Sequence, residues 1–124
     1  MKILISNSSK EPIYEQIYKQ IKSQIIDKSI KPDEALPSIR ALAKELKISV
    51  ITTKRAYDEL ENSGFIYSVP GKGSYVKEQN EEYLRETKLR KIEENLQNAI
   101  KEARMINLEY EDLQKILYTL YEEV

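Results

Sequence analysis

Cysteine, histidine and tryptophan are all missing from this 124-residue chain. Without Cys there can be no disulfide, thiolate nucleophile or Cys-based zinc site. Without His there is no imidazole base for a catalytic triad and no His-liganded metal. Carboxylates remain, 21 of them, but in a Lys- and Glu-rich chain they are expected on solvated helix faces. An enzyme is therefore not expected, nor a cofactor or metal. No run of about 18 apolar residues occurs, so no membrane-spanning helix is expected. Met1–Lys10 lacks the basic start and apolar stretch of a signal peptide, which points to the cytoplasm. Charged residues make up 33% of the chain, and its mean hydropathy of -0.60 implies a small core.

Glycine and proline are scarce, and their placement divides the chain. All three Gly lie between Gly64 and Gly73, and all four Pro between Pro12 and Pro70. Neither occurs beyond residue 77, so a punctuated segment 1–77 precedes an unbroken helical segment 78–124. Charge follows the same division. The first segment holds 13 Lys/Arg against 9 Asp/Glu, and the second 7 against 12. A basic half joined to an acidic half implies that only the first faces a polyanion.

Pro12 suits the first turn of a helix, where a missing N–H leaves no partner wanting. Ile13, Ile17, Ile21 and Ile25 then recur every four residues as one apolar helix face, flanked by Tyr14 and Tyr18. This helix should end near Ser29, before a Lys31-Pro32-Asp33 turn. A short second helix follows Pro37, with Ser38 as its cap and Ile39, Leu42, Ala43 and Leu46 as its buried stripe. After a tight turn at Lys47-Ile48, Ser49 caps a third helix, about Val50 to Asn62, that buries Thr53, Ala56, Tyr57 and Leu60. Gly64 can end it in the left-handed conformation. Phe65–Val69 and Ser74–Val76 suit strands, and Pro70-Gly71-Lys72-Gly73 supplies the turn between them. The pattern predicts a mainly α fold with a small β-hairpin, an N-terminal winged helix-turn-helix.

In a helix-turn-helix the second helix of the pair enters the major groove, N-terminal residues foremost. Here its outward face carries Ile51, Thr52, Lys54, Arg55, Asp58 and Glu59. Lys54 and Arg55 can neutralise phosphates or donate to guanine, and Thr52 suits a phosphate oxygen. An ordinary amphipathic helix with a solvated charged face would look similar, and the wing is what favours DNA. Arg40 points outward from the start of the preceding helix, where Ser38 reads as a structural cap. Lys72, between Gly71 and Gly73 at the wing tip, can reach an adjacent minor groove.

These blocks resemble the GntR family of bacterial winged-helix regulators. The matching residues run from Pro12-Ile13-Tyr14-Glu15-Gln16-Ile17 through Leu36-Pro37-Ser38-Ile39-Arg40-Ala41-Leu42-Ala43. They continue with Ser49, Thr52, Arg55-Ala56-Tyr57, Leu60-Glu61 and Gly64, and close on Gly71-Lys72-Gly73-Ser74-Tyr75-Val76. The short helical remainder resembles the YtrA subfamily, whose tails serve mainly to dimerise. The resemblance implies a transcriptional regulator, commonly a repressor, bound to an inverted-repeat operator of double-stranded DNA. It places DNA contacts at Ser38, Arg40, Ser49, Thr52, Lys54, Arg55, Lys72 and Gly73. Val50 and Ile51 stand where the subfamily commonly has Pro and Asn. Ile51 can meet a thymine methyl, which implies a different operator. Ser29 and Asp33 replace Gly in the first loop, and Pro70 precedes the wing tip.

Leu89, Ile92, Leu96, Ala99, Ala103 and Ile106 form a heptad-like seam, widened by Ile100. Asn107 is expected to cap a last helix whose apolar face is Leu113, Ile116, Leu117, Leu120, Tyr121 and Val124. A homodimer seated on Leu89, Ile92, Leu96, Ile100, Leu113, Leu117 and Leu120 would enclose both stripes, as would packing back onto the winged helix in a monomer. The tail is too short for a ligand-enclosing domain. A small-molecule effector pocket at the dimer interface, using Tyr83, Tyr110 or Tyr118, is one reading of those aromatics, and core packing is the other. A rival to DNA binding is a winged-helix module that docks proteins, since fold alone does not settle function.

Overall fold

The computed structural model describes residues 1–123, so Val124, assigned above to the last apolar face, lies outside the described residues. In chain order it contains α1 (Ile13–Ile26), α2 (Ile39–Leu46), α3 (Val50–Asn62), β1 (Ile66–Val69), β2 (Gly73–Val76), α4 (Glu81–Met105) and α5 (Tyr110–Glu123). Two compact units divide the chain, Met1–Asn80 and Glu81–Val124.

The first unit is a winged helix-turn-helix. Its core brings the four-residue Ile repeat of α1 (Ile17, Ile21, Ile25) against Leu42, Ala56, Tyr57, Leu60, Phe65, Ile66 and Val76. The four residues expected to face inward from α3 are all buried. Thr53 is the polar one, and its hydroxyl donates to the Ser49 carbonyl at 3.0 Å. Tyr57 likewise donates its hydroxyl to the Pro37 carbonyl at 2.7 Å, which ties α3 to the entry of α2.

The turn between α2 and α3 closes by two backbone bonds, Ile48 N–H to the Ala43 carbonyl and Lys47 N–H to the Lys44 carbonyl. This is a Schellman closure. Its left-handed residue is Lys47, at φ 58°, rather than the usual Gly. The same closure ends α3, with Gly64 at φ 81° and Phe65 N–H bonded to the Leu60 carbonyl.

Wing strands β1 and β2 pair antiparallel, from Ile66 opposite Val76 to Val69 opposite Gly73. Residues 33–36, read from sequence as part of a plain loop, form a third edge on this hairpin. Leu36 N–H donates to the Ser74 carbonyl, Val76 N–H to the Glu34 carbonyl, and Asp33 N–H to the Val76 carbonyl. Tyr67 and Tyr75 stack at 5.6 Å, and the Tyr67 hydroxyl donates to Asp33 at 2.8 Å.

The N-terminal segment lies along α1 through a ladder of glutamines. Gln16, Gln20 and Gln24 each exchange two hydrogen bonds with one backbone residue, Ser6, Leu4 and Lys2 respectively. Four helical residues advance about 6 Å, close to the advance of two extended residues, so alternate residues of the segment meet successive turns. Ile3 and Ile5, between them, pack on the core.

Several element ends differ from expectation. Pro12 is the cap residue of α1 rather than its first helical residue, and its carbonyl accepts from Glu15 and Gln16 N–H. The helix stops at Ile26, where Asp27 binds the N–H of Ser29 and turns the chain. β1 starts one residue late, because Phe65 is taken by the Schellman closure. In the second unit Asn107 does not cap α5. It sits at φ 54° and closes α4, with its own N–H on the Arg104 carbonyl and Leu108 N–H on the Ala103 carbonyl. Asn tolerates the left-handed region, and that preference prevails over its capping ability. The carbonyl of Glu109 opens α5 instead.

Candidate nucleic-acid interface

The face offered to a polyanion is built on the two capped helices and the wing. Ser38 caps α2 by accepting the Ala41 N–H at 3.0 Å, which matches its expected structural role. Two residues further on, Arg40 is exposed, and among the described residues it has neither a hydrogen-bond nor an ion-pair partner.

Ser49 caps α3 by accepting the Thr52 N–H at 3.1 Å, and it donates its own proton to Thr52 Oγ1 at 2.7 Å. Thr52, expected to be fully outward, is half-buried because of this contact. A hydroxyl has one proton to give. Ser49 has used its proton within the protein, whereas Thr52 has not. Thr52 is therefore the better donor to an outside phosphate oxygen.

Along the outward side of α3, Ile51 is 82% exposed and Val50 46% exposed, leaving two apolar side chains at the foremost turn. Lys54 is paired with Asp58 one turn on, Nζ to Oδ2 at 2.8 Å, with both side chains largely in solvent. Exposed pairs of this kind are worth about 0.3–0.5 kcal/mol, so a phosphate can readily take Lys54. The guanidinium of Arg55 lies flat on the ring of Tyr14 in α1, 3.7 Å from its centroid. Sequence reasoning found Lys54 and Arg55 but not these partners. The Lys54–Asp58 spacing was visible, whereas the Tyr14–Arg55 contact joins two helices 41 positions apart in the chain.

At the wing tip, Lys72 N–H donates to the Val69 carbonyl at 2.9 Å, and Gly71 has φ 76°. Pro70 and Gly71 thus hold the central places of a type II turn, in which Pro is favoured and the next residue needs positive φ. The proline that departed from the family pattern fits the turn. Gly73, at φ 109°, begins the return strand. Lys72 is exposed, and its backbone is held by the Tyr75 hydroxyl, which donates to the Lys72 carbonyl at 3.1 Å.

The second unit carries a separate feature. An apolar groove of about 300 Å³ runs between Leu96, Ala99 and Ile100 of α4 and Leu113, Leu117 and Leu120 of α5. Ile116, Tyr110 and Gln114 complete its wall. Leu89 and Ile92 lie nearer the start of α4, outside that groove. Of the three tyrosines considered for an effector pocket, Tyr110 lines the groove, while Tyr83 and Tyr118 do not.

Two capped helices joined by a tight turn, with a cationic outer face on the second and a basic wing beyond it, define a DNA-binding regulatory protein rather than an enzyme. Residues 13–76 match the family described as bacterial regulatory proteins, gntR family. The chain belongs to the GntR family. It is 38% identical over 111 residues to the HTH-type transcriptional repressor YtrA of Bacillus subtilis, which covers 90% of this chain and 85% of that protein. The fold is also that of a transcriptional regulator from Oenococcus oeni, with a TM-score of 0.75 and 26% identity over 94% of this chain and 97% of the other. The DNA-binding domain of AraR, solved in complex with an operator, matches with a TM-score of 0.54 and 29% identity. That likeness covers 61% of this chain and 95% of the AraR domain. Among the described residues no helix is long and apolar enough to cross a membrane.

Proposed function

We propose that this chain is a cytoplasmic, sequence-specific transcriptional repressor that binds an inverted-repeat operator as a homodimer. The observation that carries the DNA reading is the outward side of α3, where Thr52, Lys54 and Arg55 follow the Ser49 cap in consecutive turns. Arg40 and Lys72 add two uncommitted cations from α2 and the wing. Ser38 and Ser49 serve as caps that fix the starts of the two helices. Ile51, almost fully exposed, is the candidate for apolar contact with a thymine methyl. The likeness to YtrA supports repression, and the likeness to the operator-bound AraR domain supports a duplex as the ligand.

The dimer reading rests on the tail. Leu96, Ile100, Ile116, Leu117 and Leu120 are each 40–54% exposed along one helical hairpin. Burying such side chains is worth about 1.5–3 kcal/mol each when complete, so a second copy laid on the groove gains several kcal/mol. The lining is apolar apart from Gln114 and Tyr110, which suits a partner helix better than a charged effector. Two-fold pairing calls for half-sites separated by about one helical turn, roughly 34 Å.

Selection of bound duplexes from a random pool by the purified protein tests the whole reading. Recovery of a palindrome with that spacing supports it. No enrichment at low salt would favour a winged-helix module that docks protein instead.

A further inference from the structure

We infer that Tyr14, in the first turn of α1, is the positioning residue that holds Arg55 ready for a DNA phosphate, an inference that rests on the DNA-binding reading above. Tyr14 is half-buried and packs on the core, so its ring is a fixed surface. Arg55 is exposed, and its guanidinium carbon lies 3.7 Å from the ring centroid, the distance of a flat stack. A stack engages the face of the guanidinium and leaves the N–H donors around its edge. Among the described residues no ion pair or hydrogen bond takes those donors. Arg55 is thereby oriented without being spent, in contrast to Lys54, which must give up Asp58. A long flexible side chain held this way has lost much of its rotamer freedom before a ligand arrives, which favours binding. The planar edge also matches two oxygens of one phosphate.

The test uses full-length protein and a fluorescent mixed-sequence duplex of about three helical turns, because phosphate contacts do not depend on sequence. Binding is measured over a range of salt concentrations. Arg55→Ala should weaken binding about three- to tenfold and lower the slope of log K against log salt by about 0.9. Tyr14→Leu should give a similar loss in both quantities, which a purely structural role would not do to the slope. Tyr14→Phe, which keeps the ring, should stay within about twofold of wild type. The double variant Tyr14→Leu/Arg55→Ala should bind no more weakly than Arg55→Ala alone. Arg55→Lys is on the surface and should fold normally. It keeps the charge and the slope but should lose about two- to fivefold in affinity, since an ammonium offers no flat edge. Wild-type binding by Arg55→Lys, or additive losses in the double variant, would overturn the role of Tyr14 alone. Failure of the wild-type protein to bind the duplex at low salt would overturn the DNA reading with it.

Discussion

Removing the amide of Gln16 should release the N-terminal segment from the winged unit. Gln16 is 7% exposed, the most buried rung of the glutamine ladder. Its Oε1 accepts from Ser6 N–H at 2.9 Å, and its Nε2 donates to the carbonyls of Ser6 and Glu11 at 3.1 and 3.0 Å. Each neutral bond is worth about 0.5–1.5 kcal/mol net, so Gln16→Ala should lose roughly 1.5–4.5 kcal/mol. Water reaching the stranded backbone groups should bring the value toward the lower end. Against a total of about 5–15 kcal/mol for a domain, that is a large fraction. Gln16→Glu should do worse at neutral pH. A carboxylate can still accept from Ser6, but it meets two carbonyl oxygens with no proton to give. Its folded-state pKa should therefore be raised, and the variant should regain stability as pH falls through that value. Urea unfolding monitored by circular dichroism gives the energies, and hydrogen exchange at the Leu4 and Ser6 amides locates the effect. A Gln16→Ala protein within about 0.5 kcal/mol of wild type, with unchanged exchange at Ser6, would refute this account of the ladder.

Four further outcomes are expected. Lys47→Gly should raise the melting temperature, because a left-handed Lys costs about 1–2 kcal/mol and the entropy of Gly offsets only part of it; a lower value would mean that the Lys47 side chain contributes contacts. Burial pushes the Tyr57 hydroxyl well above the usual tyrosine range, so stability should fall as pH rises past about 10, by up to ~1.4 kcal/mol per pH unit. Tyr57→Phe should lose about 1 kcal/mol at neutral pH with its bond to Pro37, yet show a shallower alkaline decline; an equal decline would assign the alkaline loss to other groups. Lys72→Ala should flatten the salt dependence of DNA affinity by about 0.9 without changing the selected sequence, and an unchanged slope would remove the wing from the interface. Leu117→Glu should yield monomers in sedimentation and weaken binding to a full palindrome by about 10²-fold or more while sparing a half-site, because linked sites gain from effective concentration. A monomer with full affinity for the palindrome would refute the proposed pairing.

Most of the winged unit was legible because its signals are local. The Ile spacing of α1, the capping serines at 38 and 49, and Gly64 each state a boundary or a buried face within a few residues. The pieces that escaped depend on partners far along the chain. The third edge of the wing arises from Asp33–Leu36 meeting Ser74–Val76, and nothing in a loop of that composition announces a strand partner. The glutamine ladder did leave a trace, since Gln16, Gln20 and Gln24 share a four-residue spacing and Ile3 and Ile5 alternate with the residues they hold. That trace is readable only when both segments are considered together. Asn107 shows a different limit. Asn serves either as an N-cap or as a left-handed terminator, and the choice depends on which of two helices claims it.

The two units reach stability by different routes. The first encloses its own core, with Ile17, Ile21, Ala56, Leu60 and Val76 fully buried, and in that respect it needs no partner. The second buries only Leu84 and Ala103 among its described residues. An isolated pair of helices with so little burial cannot offset the entropy of ordering, because helices of ordinary length are marginal in water without tertiary packing. Its folding must therefore draw on association, and any ligand that favours the paired form stabilises the fold by mass action. An operator with two correctly spaced half-sites is such a ligand. DNA binding through Arg40, Lys54, Arg55 and Lys72 and ordering of the Leu96–Leu120 groove are then linked equilibria. The melting of the tail should respond to palindromic DNA, although no tail residue need touch it.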